Sequence, residues 1–334
     1  MKKNVRARKI ATFIIMTIMF SVFILDIITV VLCNKYENRY PITAEVFASG
    51  NGADRLHFLS TGNSDALIIE SNGHFALIDS GEGSNNPRVS ARIDGYEDLI
   101  VDYLKKIAAD ENGKVYLDFV LGTHYHYDHV GGFEEILENE DIIIGTAYFK
   151  EFYKECAKPN ECSILGLDIL YETIVELLEK RDFEWVSDLP KEPFSFGDFT
   201  IQFFNTEQDT SQINVGENDN SVGVKLVKDS FSAFLAADIT NVKGLEKKLA
   251  PQIGEVDLLK IGHHGYALAS SRGFIKTLNP KMAIVTNGLG KIYPNVKWSL
   301  TMHTHTSTYS TVKENGVIAT ISDSGDITLT NNIH

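Results

Sequence analysis

Short apolar runs separated by turn residues occupy most of the chain, and their spacing predicts its elements. Residues 55–60 (RLHFLS), 65–71 (DALIIES) and 74–80 (HFALIDS) alternate or run apolar, with TGNS and NG between them, which reads as adjacent strands. From Tyr96 to Ala109 the apolar positions Leu99, Ile100, Tyr103 and Ile107 recur at helical spacing. Residues 117–123 (LDFVLGT) read as a buried strand, Gly131–Leu137 as the start of a helix, 142–149 as a strand and Ser163–Lys180 as a periodic helix. A second set starts near Asp198. It holds strands over 199–205, 221–227 and 231–238, a helix over Val242–Leu249, a strand over 256–262 and a helix over Ser270–Leu278. Strands at 282–286, 316–321 and 326–330 close it, while the Ser- and Thr-rich stretch Tyr293–Thr311 carries no clear period. Two halves, each a run of strands followed by strand–helix units, predict one α/β domain over residues 54–334, with two sheets between helical layers in an αββα sandwich.

The first 40 residues follow a different pattern. Lys2, Lys3, Arg6, Arg8 and Lys9 form a basic run, and Ile10–Cys33 is a stretch of 24 residues with one charge, Asp26. As a helix it extends roughly 36 Å, enough to cross a hydrocarbon core. A cleaved signal peptide fits less well, because no A-x-A-like site follows and the apolar run is long. A lipoprotein signal needs a small residue where Leu32 precedes Cys33. The expectation is a cytoplasmic basic tail (1–9), a single-pass signal anchor (10–33), a linker (34–53) and an extracellular catalytic domain at the cell membrane. Asp26 is a penalty within the span that nothing in the sequence explains.

Composition narrows the partners. With 334 residues, 43% hydrophobic and a formal net charge of −14, the chain is long enough for a large core, and its acidic surface disfavours a broad nucleic-acid footprint. Cys156 and Cys162 flank a polar segment and read equally as a small disulfide loop or as two free thiols; their spacing argues against a zinc site.

The chemistry concentrates in Thr123-His-Tyr-His-Tyr-Asp-His-Val-Gly-Gly132, between an apolar strand and a helix. His124 and His126, two apart in an extended segment, project to one side. Asp128 and His129 lie at the following turn, where they can face a second metal, and imidazole with carboxylate suits zinc and its neighbours. Asp79 ends its strand and can orient a ligand histidine, although alone it reads as a turn former. Asp238 ends residues 231–238 and can bridge two ions or cap the next helix. His263 and His264 follow the strand 256–262 and point to the rim where such sheets bind ligands.

In order, these motifs resemble the metallo-β-lactamase superfamily: LIDSG, HYHYDH, NDNS, LAAD and GHHG, spread over residues 54–330. The resemblance is to the branch that holds pneumococcal-type phosphorylcholine esterase and ComEC-type competence domains. It departs from many members by carrying Asn218-Asp-Asn-Ser221 in place of the third-motif histidine. The resemblance implies two zinc ions, with manganese or iron as alternatives. One would be held by His124, His126 and Asp238, the other by Asp128, His129, Asp238 and His264 rather than His263. It also implies catalytic roles for Asp128 and Asp238, and places Asn220 and Ser221 beside substrate or a metal-bound water.

The expected activity is that of a surface-displayed phosphodiesterase or esterase on a small or polymer-linked phosphoester, phosphocholine-like in type. A ComEC-like nuclease and a non-catalytic metal-binding surface protein are the alternatives. Choline recognition needs an aromatic cage, for which Tyr125, Tyr127, Tyr266, Tyr293 and Trp298 are the candidates.

Overall fold

The computed structural model describes residues 2–37, 39–44, 52–86, 95–181, 184–207, 210 and 213–331. Met1, residues 38 and 45–51 of the expected linker, residues 332–334 of the expected domain and the side chains of Lys2, Lys3 and Cys33 lie outside that description.

The first half runs α1 (Lys2–Glu37), β1 (Ile42–Thr43), β2 (Asp54–Phe58), β3 (Ala66–Ser71), β4 (His74–Ser80), α2 (Glu97–Ala108), β5 (Val115–Gly122), α3 (Tyr127–Val130), α4 (Phe133–Glu138), β6 (Ile142–Phe149), α5 (Pro159–Ser163), α6 (Leu167–Lys180) and β7 (Glu184–Val186). The second half runs β8 (Phe194–Phe196), β9 (Phe199–Phe204), β10 (Gly223–Lys228), β11 (Phe231–Leu235), α7 (Leu245–Ile253), β12 (Leu258–Lys260), α8 (Arg272–Leu278), β13 (Met282–Val285), α9 (Pro294–Trp298), β14 (Ser307–Ser310), α10 (Thr311–Glu314), β15 (Val317–Ile321) and β16 (Ile327–Thr330). One sheet orders its strands β1-β16-β15-β2-β3-β4-β5-β6-β7, the other β14-β13-β12-β11-β10-β9-β8.

Strand alternation builds four layers. On β3, Leu67 and Ile69 point between the sheets, where they join Phe199 and Ile201 of β9 and Leu226 of β10. Their neighbours Ala66 and Ile68 point outward to Ile100 and Leu104 of α2. On β11, Ala233 and Leu235 face inward, while Phe234 packs with Leu249 of α7 and Phe274 of α8. Each such side chain contributes about 1.5–3 kcal/mol when fully buried. The chain therefore has the αββα sandwich that the sequence predicts.

Strands β4 to β7 run parallel, as do β11 to β14. Their C-terminal ends open at one rim of the sandwich, the place where parallel sheets collect functional loops. Backbone crowding shapes the turn there. A Cβ on Gly131 would lie 2.5 Å from Tyr127 O, and one on Gly132 2.4 Å from Ser80 O. The helix expected over Gly131–Leu137 is α4, which starts at Phe133 after the two crowded glycines, and α3 is a separate single turn before them. The helix expected over Ser163–Lys180 is broken at Gly166, which is left-handed at φ 69°.

At the N-terminus, Arg8–Leu32 is long and apolar enough to cross a membrane, with a mean hydropathy of 2.6. The linker expectation needs correcting. Residues 34–37 continue α1, and Ile42–Thr43 joins the first sheet beside β16. The Tyr309 hydroxyl also donates to Tyr40 O at 2.6 Å. The unassigned stretch Tyr293–Thr311 contains α9, a wide π-type turn at Ser299–His303 and strand β14, a change of period every five residues that hides any single repeat.

Candidate metal centre

Strand ends from both sheets converge at the rim. The turn after β5 brings His124, His126, Asp128 and His129; the segment after β11 brings Asp238; the segment after β12 brings His264. His124, His126 and Asp238 form one group with ligand atoms within 4.8 Å of one another, and Asp128, His129 and His264 form a second. In the first, His124 Nε2 lies 3.1 Å from His126 Nδ1. In the second, His264 Nε2 lies 3.3 Å from His129 Nε2 and 3.5 Å from Asp128 Oδ2.

Asp238 stands between them. Its Oδ1 is 3.2 Å from His129 Nε2 and 3.4 Å from His264 Nε2, and its Oδ2 is 4.0 Å from His124 Nε2. The two carboxylate oxygens therefore address different clusters. The chain holds this arrangement at a backbone cost. Ala237 before the bridge, Asp79 at the end of β4, and both His263 and His264 sit at positive φ, between 43° and 56°. Each such residue costs on the order of 1–3 kcal/mol unless its surroundings enforce it.

The outer nitrogens of the imidazoles have defined surroundings. Thr123 Oγ1 donates to Asp79 Oδ2 at 2.8 Å and is 3.1 Å from His124 Nδ1, so it accepts from that ring. Asp79 also lies 2.7 Å from His129 Nδ1 and accepts from Thr123 N at 2.8 Å. Thr286 Oγ1 repeats the relay on the other side: it is 3.0 Å from His264 Nδ1 and donates to Asp65 Oδ1 at 2.6 Å. His126 Nε2 faces Glu161 Oε1 at 4.0 Å. The partners of His124, His129 and His264 orient those rings so that their other nitrogens face the cluster, whereas His126 Nε2 makes no hydrogen bond.

Electrostatics fit a cation. Burial and the neighbouring imidazoles hold His124 well below its ordinary value, and burial takes His126 down to about 4, so both rings are neutral. Burial opposes protonation of His264, yet Asp238 and Asp65 push it up to about 9. His129 is raised likewise against burial, by Asp238 and Asp79. Without metal, then, protons sit on rings whose nitrogens face a carboxylate. Asp238 Oδ1 is buried and makes no well-formed hydrogen bond to the imidazole nitrogens 3.2 and 3.4 Å away, an arrangement that suits a ligand oxygen sharing an ion with those rings. The donor set therefore fits two divalent cations.

A cleft of about 180 Å³ opens onto the first group, with His126, Asp128, Asn218, Asp238 and His263 on its walls. Of the adjacent histidines, His264 is 1% exposed and sits in the cluster. His263 turns to the mouth, its Nε2 3.8 Å from Asp238 Oδ2. The successive left-handed residues send the two rings opposite ways.

Two expectations need correction. Asn220 and Ser221 do not face the cleft: Asn220 Nδ2 donates to Glu217 Oε2 at 2.8 Å, and Ser221 is fully buried. Residues 217–220 form a 3-10 turn, whose three-residue repeat brings Glu217 and Asn220 together and directs Asn218 outward. The aromatic cage also shrinks. Tyr125 is buried and donates its hydroxyl to Lys150 O at 2.7 Å, while Tyr127, though largely buried, lines the cleft. Trp298 faces α1. Tyr266 and Tyr293 remain at the mouth, edge to face at 6.4 Å, with Tyr266 5.7 Å from the His263 ring. Cys156 and Cys162 are free thiols.

Asp65, Thr286, Glu161 and Asn218 escaped the sequence reading. Asp65 was hidden in a turn-like TGNSD and Glu161 in the polar stretch between the cysteines. Lys260 did carry a signal, as the one positive charge within the apolar strand VDLLKIG.

Residues 59–202 match the family described as the metallo-beta-lactamase superfamily. ComE operon protein 3 of Bacillus subtilis (strain 168) is 24% identical over 208 residues, covering 60% of this chain and 24% of that protein. The chain thus spans about a quarter of that relative's length. Hydroxyacylglutathione hydrolase of Psychromonas ingrahamii is 36% identical over 56 residues, 17% of this chain and 22% of that protein. Among solved structures, the metallo-beta-lactamase fold protein YhfI from Bacillus subtilis aligns at a TM-score of 0.47 with 13% identity, covering 77% of this chain and 96% of YhfI.

Proposed function

Starting from a chain that carries a metallo-β-lactamase superfamily domain, we propose a membrane-anchored, metal-dependent hydrolase that cleaves a phosphodiester or related ester. His124, His126 and Asp238 hold one divalent ion, and Asp128, His129, His264 and Asp238 the other. Zinc is the proposed metal, on the strength of the imidazole-rich donor set. Two such ions supply Lewis acidity and a water acidic enough to attack at neutral pH.

The chain's own residues do the rest. Asp238 keeps the two clusters in fixed separation, and Asp128 shares the wall of the cleft. Asn218 offers an uncharged amide to orient a phosphate oxygen. His263, at the mouth, is placed to face the leaving-group oxygen. Tyr266 and Tyr293 offer ring faces to a quaternary ammonium group. We place the domain outside the cell, with Arg8–Leu32 as its anchor and a polymer- or lipid-linked phosphoester as substrate.

The observation that carries this reading is the first cluster: three protein ligands beside a cleft that Asp128, Asn218 and His263 also line. A phosphodiester brings two oxygens and an in-line leaving group to such an opening. The relation to ComE operon protein 3 makes a nuclease-type hydrolase the second reading, which the net charge of −14 opposes. The test is to assay the zinc-loaded full chain in detergent on p-nitrophenyl-phosphorylcholine, a phosphomonoester, a lactone, a β-lactam and single-stranded DNA. Turnover of the phosphodiester is expected. Hydrolysis of lactam or lactone with none of any phosphodiester overturns the proposal.

A further inference from the structure

Lys260 is fully buried in the strand that leads to His264 and forms an ion pair with Asp65, itself fully buried. Its Nζ also donates to Ala237 O at 3.0 Å, the carbonyl just before the bridging Asp238. On the Asp65 side, Oδ1 accepts from Thr286 Oγ1 at 2.6 Å, which backs His264 Nδ1 at 3.0 Å. Asp65 Oδ1 lies 3.4 Å from that same ring nitrogen, and Oδ2 lies 3.8 Å from His129 Nδ1. The backbone N–H of Asp65 donates to Asp128 O at 3.0 Å. One ion pair therefore reaches the segments carrying Asp128, His129, Asp238 and His264, drawn from both sheets.

We propose that Lys260 and Asp65 are a positioning pair that sets the second metal group, by anchoring the His264 relay through Asp65 and the Ala237–Asp238 turn through Lys260. The pair touches no substrate and supplies no ligand atom. A lysine is needed because its ammonium carries several donors on a compact head, enough for a carboxylate and a carbonyl on different strands. Ala237, at φ 43°, is held in the left-handed region in part by that carbonyl contact. A buried charge pair is weak evidence for stability, since an apolar pair of similar size often serves as well. Its retention beneath a metal cluster points to placement of the ligands.

This inference rests on the two-metal reading above, and a double-mutant set separates the two. The full chain is prepared as wild type, Lys260→Met, Asp65→Leu and the double variant, each stripped of metal. Zinc binding is measured by competition with a chromogenic chelator, and thermal unfolding is followed in the metal-free state. Each single variant leaves a buried charge unpaired, so its metal-free melting temperature falls. The double variant removes both charges and recovers most of that loss, short of what the Thr286 hydroxyl loses with its acceptor. Its second zinc is nonetheless held at least tenfold more weakly, because the His264 relay and the Asp238 turn have lost their anchors. The ion at His124 and His126 stays closer to wild-type affinity. A double variant that recovers melting temperature and zinc affinity together overturns the proposal and leaves an ordinary structural ion pair. Lys260→Met with wild-type zinc affinity overturns it too. Should the single variants fail to fold, the double alone decides. Wild-type protein that binds no zinc removes the two-metal reading itself, and this inference with it.

Discussion

Replacing Asp79 by asparagine changes one oxygen to an amide nitrogen at a position with no solvent exposure. The carboxylate accepts from Thr123 N, from Thr123 Oγ1 and from His129 Nδ1. An amide keeps only one accepting oxygen, and its NH2 must face a group that also donates. The simplest relief is a change of tautomer in His129, which moves its proton to Nε2, the nitrogen that faces Asp238 and His264. Hydrogen bonds to a charged group contribute about 1.5–3 kcal/mol each, so a net stability loss of about 2–4 kcal/mol is expected. That is a sizeable part of the 5–15 kcal/mol typical of a domain. Loss of an outer partner of this kind lowers metal affinity by about 10–100-fold, and here it falls on the second group, with a smaller effect on His124 through Thr123. Elemental analysis and chelator competition on Asp79→Asn check this beside a thermal melt. Two tightly held ions per chain at wild-type affinity refute the assigned role of Asp79.

Asp238→Ala should weaken both ions, because its oxygens face different clusters, whereas His263→Ala should keep full metal content and lose turnover; metal analysis beside a rate assay separates them. The pH dependence of the stripped protein follows from the raised histidines. His264, pushed from 6.5 to about 9, stabilises the fold fully below about pH 6.5, and that contribution is lost as pH rises through about 9. The metal-free melting temperature should therefore fall between pH 6.5 and 9, while zinc binding tightens over the same range as protons leave; a flat melting temperature contradicts the assignment.

The legible part of the site was the part made of unusual residues in short range. His124, His126, Asp128 and His129 crowd six positions at a strand end, and Asp79 and Asp238 end apolar strands. What the sequence hid depended on backbone conformation or on contacts between the two halves. His263 and His264 differ only because two left-handed residues turn one ring out and the other in. Asn218 replaces Asn220 at the cleft because a 3-10 turn shifts the outward position by two. Asp65 meets Lys260 across the two sheets, a contact that no local spacing announces. The layers themselves were readable from period-two alternation, while Gly166 broke a helix that a uniform period had joined.

Because Asp238 and His264 come from one sheet and the histidine turn from the other, the proposed metal pair would sit across the seam between the halves and act as a clasp. Whatever binds there joins the folding equilibrium of the whole domain: an ion present at a hundred times its dissociation constant adds about 2.7 kcal/mol to stability. Metal supply would then govern how long each copy survives as well as how fast it works. A chain starved of metal would loosen along that seam first, and a protease would meet a different molecule from the one that is loaded.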